Sequence, residues 1–255
     1  MGYSSGKGVG YASNGGRHGG DNSNGDETKC YGSVRCPFTH GSGSAWTAGG
    51  GVIRLQVAGT LTVDGTVTSG GYYNVGSSGT SGGSVWITAA TMSGAGAISA
   101  DGGLVQTACN GGGAGGRVSL MLTKEGADFS QLTGPVTAYA CSNIKGSVEM
   151  RNCGTVYRQT GNQEFGYGEI LVANASGSAN KGLPMTLPPA EGMDARELKN
   201  ATLNLGMLAG VVLEQDLKIG NLIISEDATR LDLDNHILRV QSPYHPYPTD
   251  RVVNA

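Results

Sequence analysis

The stretch Gly51-Val-Ile-Arg-Leu55 decides the fold, because the chain repeats it at nearly constant intervals. Three later segments align with it: Gly83-Ser-Val-Trp-Ile87, Gly116-Arg-Val-Ser-Leu120 and Gly146-Ser-Val-Glu-Met150. The first apolar positions of the four copies are separated by 32, 33 and 30 residues, and they are Ile53, Val85, Val118 and Val148. Self-similarity at such a period is the signature of a repeat architecture.

A second motif follows the first in the same order. It reads Gly65-Thr-Val-Thr-Ser69, then Gly96-Ala-Ile-Ser-Ala100, then Gly134-Pro-Val-Thr-Ala138. Two motifs that recur three times in one order indicate that each repeat supplies at least two short structural elements.

Apolar and polar residues alternate within each copy, as a strand requires. Ile53, Leu55 and Val57 fall on one side, whereas Arg54 and Gln56 fall on the other. The glycine-rich stretches between the copies suit tight corners, because glycine accepts positive φ without strain. The sequence therefore predicts an all-β fold: a right-handed parallel β-helix (β-solenoid) with glycine-rich loops and an N-terminal cap. Ile53, Val85, Val118 and Val148 should form one inward column.

Changes in composition divide the chain into four regions. Residues 1–48 form a Gly/Ser/Asn-rich cap or extension, and residues 49–160 carry the glycine-rich repeats. Residues 161–242 contain less glycine and more Leu, Ile and Val, which predicts plainer strands of the same coil. Residues 243–255 form a Pro-rich linker, typical of a segment cut from a longer protein.

Composition and charge exclude several functions. The chain has 255 residues, including 45 glycines, but charged residues make up only 15% and the net charge is −3. This balance argues against nucleic-acid binding, which depends on cationic contacts to phosphates. No apolar run approaches the roughly 18 residues that span a bilayer, so we expect no membrane span in this segment.

The motifs also carry a resemblance. The strand opener, the second motif and the corner Gly111-Gly-Gly-Ala-Gly-Gly-Arg117 are similar to glycine-rich parallel β-helix stretches of large secreted and surface proteins, including bacterial adhesin-like proteins. Leu231-Asp-Leu-Asp-Asn-His-Ile-Leu238 resembles a strand-and-turn unit of adhesin β-helices. The resemblance implies an extracellular or cell-surface location. It implies little about activity, because β-helices also host polysaccharide lyases and hydrolases.

Three aromatic residues are candidates for carbohydrate contact. Tyr72 and Tyr73 lie in a glycine-rich excursion, and Trp86 lies on the outward side of its strand. Such rings stack on sugars, but they can equally pack against the glycine loops.

The N-terminal region holds a candidate calcium site. Asp21, Asn24 and Asp26 bring carboxylate and amide oxygens into one short stretch, and these are the ligands that calcium prefers. The spacing does not match an EF-hand, and the nonapeptide repeat of calcium β-rolls is absent, so a solvated turn is the alternative. We expect no other cofactor.

Cys30 with Cys36, and Cys141 with Cys153, are close enough in sequence to form local disulfides. The alternative is that they are buried small apolar side chains.

We therefore expect a non-catalytic extracellular structural or adhesive module, acting as a stalk or contact segment. Its partners would be cell-surface or matrix glycans or proteins, or other copies of itself. A carbohydrate-binding or polysaccharide-degrading β-helix protein is one alternative, and a self-assembling extracellular fibre subunit is another. The sequence leaves catalysis open but favours a non-catalytic role, because the outward charges do not place acid over acid in aligned positions. These charges are Asp64, Asp101, Glu149, Arg54, Arg117 and Arg151.

Overall fold

The computed structural model describes residues 18, 30–43, 47–72, 79–104, 113–141, 153–175, 185–187, 198–225, 230–241 and 252–253. These residues form sixteen strands and no α-helix, so the described part is all-β, as the alternation predicts. In that part of the chain no helix has the length and apolarity needed to cross a bilayer.

In chain order the strands are β1 (Val52–Thr62), β2 (Thr66–Thr68), β3 (Ser84–Ser93), β4 (Ala97–Ser99), β5 (Arg117–Leu122), β6 (Val136–Thr137), β7 (Thr155–Gln159), β8 (Glu169–Val172), β9 (Met185–Leu187), β10 (Thr202–Leu205), β11 (Gly210–Leu213), β12 (Leu217–Ile219), β13 (Asn221–Ile224), β14 (Arg230–Asp232), β15 (Leu238–Val240) and β16 (Val252–Val253).

The largest sheet has seven strands in the order β1-β3-β5-β7-β8-β10-β13. Its first four strands run parallel, and Ile53 lies beside Val85, which lies beside Val118. The next neighbour of Val118 is Val156 of β7. Val148, the expected fourth member of this column, lies outside the described residues.

Three smaller sheets accompany the large one. The second sequence motif forms a parallel sheet of β2, β4 and β6, with Val67 beside Ile98 and Ile98 beside Val136. The later strands form a four-stranded parallel sheet in the order β16-β14-β11-β9 and a pair of β12 with β15.

The predicted single right-handed parallel β-helix is wrong. The strands form four separate sheets, and β7 pairs antiparallel with β8, with Tyr157 opposite Ile170. The loop 160–168 reverses the chain between these two strands, so the large sheet joins two parallel blocks through a hairpin. We call β1, β3, β5 and β7 the first block, and β8, β10 and β13 the second block.

At β5 the large sheet is buried on both faces, whereas β1 alternates between half-buried and exposed residues. On β5, Val118 and Leu120 face one hydrophobic cluster, and Met121 belongs to a second cluster. Every residue of β5 is buried. On β5, therefore, alternate residues do not divide into a buried face and a solvent-exposed face.

Residues 30–43 cover part of the second face. The Ser84 hydroxyl donates to the Thr39 carbonyl at 2.6 Å, and the Ser119 hydroxyl donates to the Arg35 carbonyl at 2.6 Å. Residues 30–43 therefore lie across a sheet face, and the assignment of residues 1–48 as a cap or extension stays a prediction. Arg117, expected to point into solvent, is 0% exposed beneath this segment.

Candidate functional site

The predicted carbohydrate-contact residues lie in different environments. Tyr72 is 66% exposed, whereas Trp86 is half-buried and packs against the second hydrophobic cluster. The Arg54 guanidinium lies over the Trp86 ring, 4.3 Å from its centroid. Tyr73 lies outside the described residues. Packing therefore takes up much of the Trp86 ring, and sugar contact by these residues stays a prediction.

The candidate calcium ligands Asp21, Asn24 and Asp26 lie outside the described residues. Within the described ranges, no group of three or more His, Cys, Asp or Glu side chains is arranged to hold a metal ion. Calcium binding by the N-terminal region stays a prediction.

The candidate disulfide cysteines differ in burial, and their local pairing stays a prediction. Cys30 and Cys153 are both buried and belong to the same hydrophobic cluster. Burial raises the pKa of the Cys153 thiol to about 12, and the nearby Cys30 adds to this rise. Cys141 is buried, whereas Cys36 is partly exposed. The thiol of Cys153 is thus held neutral at ordinary pH, which suits a residue that fills space in a core.

Asp101 holds neighbouring repeats together. Its carboxylate accepts hydrogen bonds from the Thr137 hydroxyl at 2.9 Å and from the Tyr139 backbone amide at 2.7 Å. Burial raises the pKa of Asp101, and these two hydrogen bonds oppose the rise. The carboxyl group borders a recess of about 320 Å³ that Leu104 and Gly102 also line. Both oxygens of Asp101 are engaged by its own chain, which indicates a structural carboxylate.

The larger cavity lies where the hairpin meets the second block. Its volume is about 650 Å³. The hairpin loop, the start of β10, the start of β13 and the end of β15 contribute to it. We call it the amide groove, and its lining residues are Asn162, Gln163, Glu164, Tyr167, Asn200, Thr202, Gly220, Asn221 and Gln241.

The hairpin loop is held in place from the sheet. The Tyr157 hydroxyl donates to Gln159 Oε1 at 2.8 Å, and it accepts from the Gly168 amide at 3.2 Å. Gln159 Oε1 also accepts from the Gly166 amide at 3.2 Å. Gly166 has a φ of +94°, a conformation that L side chains rarely adopt. Two β7 side chains and one glycine therefore set the path of the loop.

The side chains within the loop are partly fixed by further hydrogen bonds. Gln163 accepts from the Thr160 amide at 2.9 Å and donates to the Tyr167 carbonyl at 3.0 Å. Asn162 Oδ1 accepts from the Gly126 amide at 2.7 Å. These bonds orient two amide groups at the groove before any ligand arrives.

The floor of the groove lies on the second block. Thr202 of β10 and Asn221 of β13 are direct neighbours in the parallel register. Asn221 Oδ1 is buried and accepts no hydrogen bond within the described part of the chain. Gln241, which follows β15, donates to the Lys199 carbonyl, and to Asn200 Oδ1 at 3.3 Å.

The lining is rich in neutral hydrogen-bonding groups and carries little charge. The lining has five side-chain amides, one threonine hydroxyl and one carboxylate, that of Glu164. It includes no Lys or Arg. Sequence reasoning missed this groove, because its residues come from four separate stretches. The one local signal was the cluster Asn162-Gln-Glu164 after Gly161, which is typical of a turn.

One N-glycosylation consensus position of the sequence is buried by the fold. Asn174 belongs to the sequon Asn174-Ala-Ser176, but it is only 3% exposed. Its side-chain carbonyl accepts from the Ala140 amide at 3.0 Å. The folded chain therefore does not present Asn174 for modification.

The sequence matches no protein-family model, and comparison with curated proteins and with solved structures found no significant match.

Proposed function

We propose that the chain is a non-catalytic structural and adhesive segment of an extracellular or cell-surface protein, a stiff support for contact surfaces. One observation carries this proposal: glycine backbones of successive repeats pack directly on one another. Gly51, Gly83, Gly116 and Gly154 each precede a strand of the first block at the same register position.

The packing leaves no space for a side chain. A Cβ atom at Gly83 would overlap the carbonyl oxygen of Gly51, and one at Gly116 would overlap that of Gly83. The same carbonyls accept hydrogen bonds from the next repeat, such as Arg117 N to Gly83 O at 2.9 Å. Repeats joined in this way have little freedom to slide or tilt, because close-packed interiors transmit strain.

The contact surfaces would lie on this support. Partners would be glycans or proteins of a cell surface or matrix, and the low net charge of −3 suits short-range contact better than long-range electrostatic attraction. The engagement of both Asp101 oxygens with its own chain also supports a non-catalytic role.

The proposal has a direct test. Beads coated with the full chain should be retained under flow on cell or matrix surfaces better than albumin-coated beads. The same protein should release no new reducing ends or unsaturated sugars from neutral and acidic polysaccharides. Retention no better than albumin would contradict an adhesive role. Turnover of any polysaccharide by the purified chain would contradict a non-catalytic one.

A further inference from the structure

We propose that the amide groove binds a neutral saccharide chain. This inference rests on the proposed adhesive function and gives its contact surface a ligand class. The groove volume of about 650 Å³ lies within the range of roughly 300–1,000 Å³ that is usual for small-molecule sites.

The hydrogen-bonding groups of the groove match a ligand covered with hydroxyl groups. Each side-chain amide offers both donors and acceptors, and each sugar hydroxyl also donates and accepts. Five such amides line one opening: Asn162, Gln163, Asn200, Asn221 and Gln241. All except Asn221 already make a side-chain hydrogen bond within the described part of the chain, so they offer a ligand their remaining donors and acceptors. Glu164 adds acceptors at the hairpin loop.

The charge of the lining selects against acidic ligands. Phosphate and sulfate groups are usually bound by Arg or Lys, and the lining of the groove contains neither. The carboxylate of Glu164 would repel an anionic ligand at close range. The expected ligand is therefore an uncharged saccharide.

Tyr167 provides an aromatic surface at the groove. Its side chain is 44% exposed, so its ring is available to a ligand. The neighbouring Phe165 is also exposed, but the Arg35 guanidinium already lies over its ring at 3.7 Å. An amphipathic ring beside a polar groove suits a sugar, which has an apolar face and polar edges.

Asn221 supplies an independent observation. Its buried Oδ1 accepts no hydrogen bond within the described residues, although its neighbour Thr202 also lines the groove. Buried polar atoms are usually satisfied, and an exception needs an explanation. A small rotation of this amide toward the groove would let a ligand hydroxyl donate to it.

The test uses the full chain and isothermal titration calorimetry. The probes are neutral hexasaccharides of glucose, mannose, galactose and xylose, together with sulfated and uronic-acid hexasaccharides for comparison. We expect at least one neutral probe to bind and the acidic probes to bind more weakly. Tyr167→Ala and Asn221→Ala should each weaken that binding by about tenfold or more.

Phe38→Ala is the matched control, since it removes an exposed aromatic ring that does not line the groove, and its affinity should equal that of the unmodified chain. Tyr72→Ala tests the predicted sugar contact in the glycine-rich loop after β2. Circular dichroism melts would show that each variant is folded. If Asn221→Ala does not fold, Gln241→Ala serves as the second groove variant. Binding of no neutral probe would overturn the proposal, as would preference for an acidic probe. Loss of binding in Tyr72→Ala but not in Tyr167→Ala would overturn it in favour of the glycine-rich loops. If beads are still retained when no saccharide binds, the groove assignment fails while the adhesive function stands.

Discussion

The two blocks of the large sheet solve the same packing problem in different ways. In the first block, the position before each strand is Gly51, Gly83, Gly116 or Gly154, and backbone packs on backbone. The equivalent positions of the second block are Gly168, Ala201 and Gly220. Ala201 is 1% exposed, so this column accommodates a buried methyl group.

The apolar columns beside these positions also differ, and here the second block has the larger side chains. The first block places Ile53, Val85, Val118 and Val156 side by side, whereas the second places Ile170, Leu203 and Leu222 side by side. The comparison teaches that one sheet can be stabilised by close backbone contact at one end and by larger side chains at the other. The first is disrupted by an added methyl group, and the second by removal of side-chain atoms.

The largest expected effect comes from a methyl group in the glycine column. Gly116→Ala should lower the free energy of unfolding by about 4 kcal/mol or more, because its Cβ meets the backbone of Gly83 and Gly82. Gly59→Ala is the control, since a Cβ there meets nothing within 4 Å, and its change should stay within about 0.5 kcal/mol. Ala201→Gly in the second block should cost only about 1 kcal/mol. Urea unfolding measures all three, and equal costs for Gly116→Ala and Gly59→Ala would show that the glycine column has no special packing role.

The next effect concerns the apolar columns. Leu203→Ala should cost about 3 kcal/mol, because it leaves a cavity between Ile170 and Leu222. Val118→Ala in the first block should cost less, about 2 kcal/mol, because fewer buried methyl groups are removed. The exposed Lys218 provides the control variant Lys218→Ala, which should leave the urea midpoint unchanged. A larger cost for Val118→Ala than for Leu203→Ala would reverse our ranking of the two columns.

The smallest effect is a pH dependence confined to the side of the first block. Burial and the nearby Arg117 lower the pKa of His18 to about 3, and the ring bonds to Gly82 O at 2.9 Å and Thr39 Oγ1 at 2.8 Å. The unfolded state, with a pKa near 6.5, binds this proton first, so stability is complete above pH 6.5 and falls as the pH drops toward 3. Between pH 7 and pH 5 the loss should be about 2 kcal/mol.

The pH dependence is measured by urea unfolding at several pH values. His18→Gln should remove most of the slope, because the substituted side chain does not titrate. An unchanged slope in this variant would assign the acid sensitivity to other groups. As the pH is lowered, the first block should lose protection from hydrogen exchange before the second block. The reverse order would contradict the assignment of the acid sensitivity to the first block.

Much of the strand arrangement was predictable, because alternation and glycine spacing are local signals. The neighbours Ile53, Val85 and Val118 follow from them. The fourth neighbour, Val156, was not predictable from these signals. Gly154-Thr-Val156 fits the motif as well as Gly146-Ser-Val148, and only the pairing of the strands distinguishes the two. The hairpin was missed for a similar reason, because it depends on contacts of Tyr157 and Gln159 with the loop.

The candidate site was less predictable than the strands. The sequence pointed to Tyr72, Tyr73 and Trp86 because aromatic residues in glycine-rich surroundings are conspicuous, but Trp86 is largely taken up by packing. The groove is formed by the second block and the hairpin. The alternation of apolar and polar residues did not predict the hairpin, so it could not predict the groove. Arg117 shows the same limit, since its burial depends on a segment more than 80 residues earlier.

The hydrogen bond from Arg117 Nε to the Tyr31 carbonyl, 2.9 Å long, joins residues 86 positions apart. Arg117 also donates to Thr155 Oγ1 at 3.0 Å, on a strand made later still. As the chain leaves the ribosome, residues 30–43 emerge well before the surface that will receive them has been synthesised. Residues 30–43 therefore stay exposed to their surroundings until β7 has been made, and they lack their final contacts during that time.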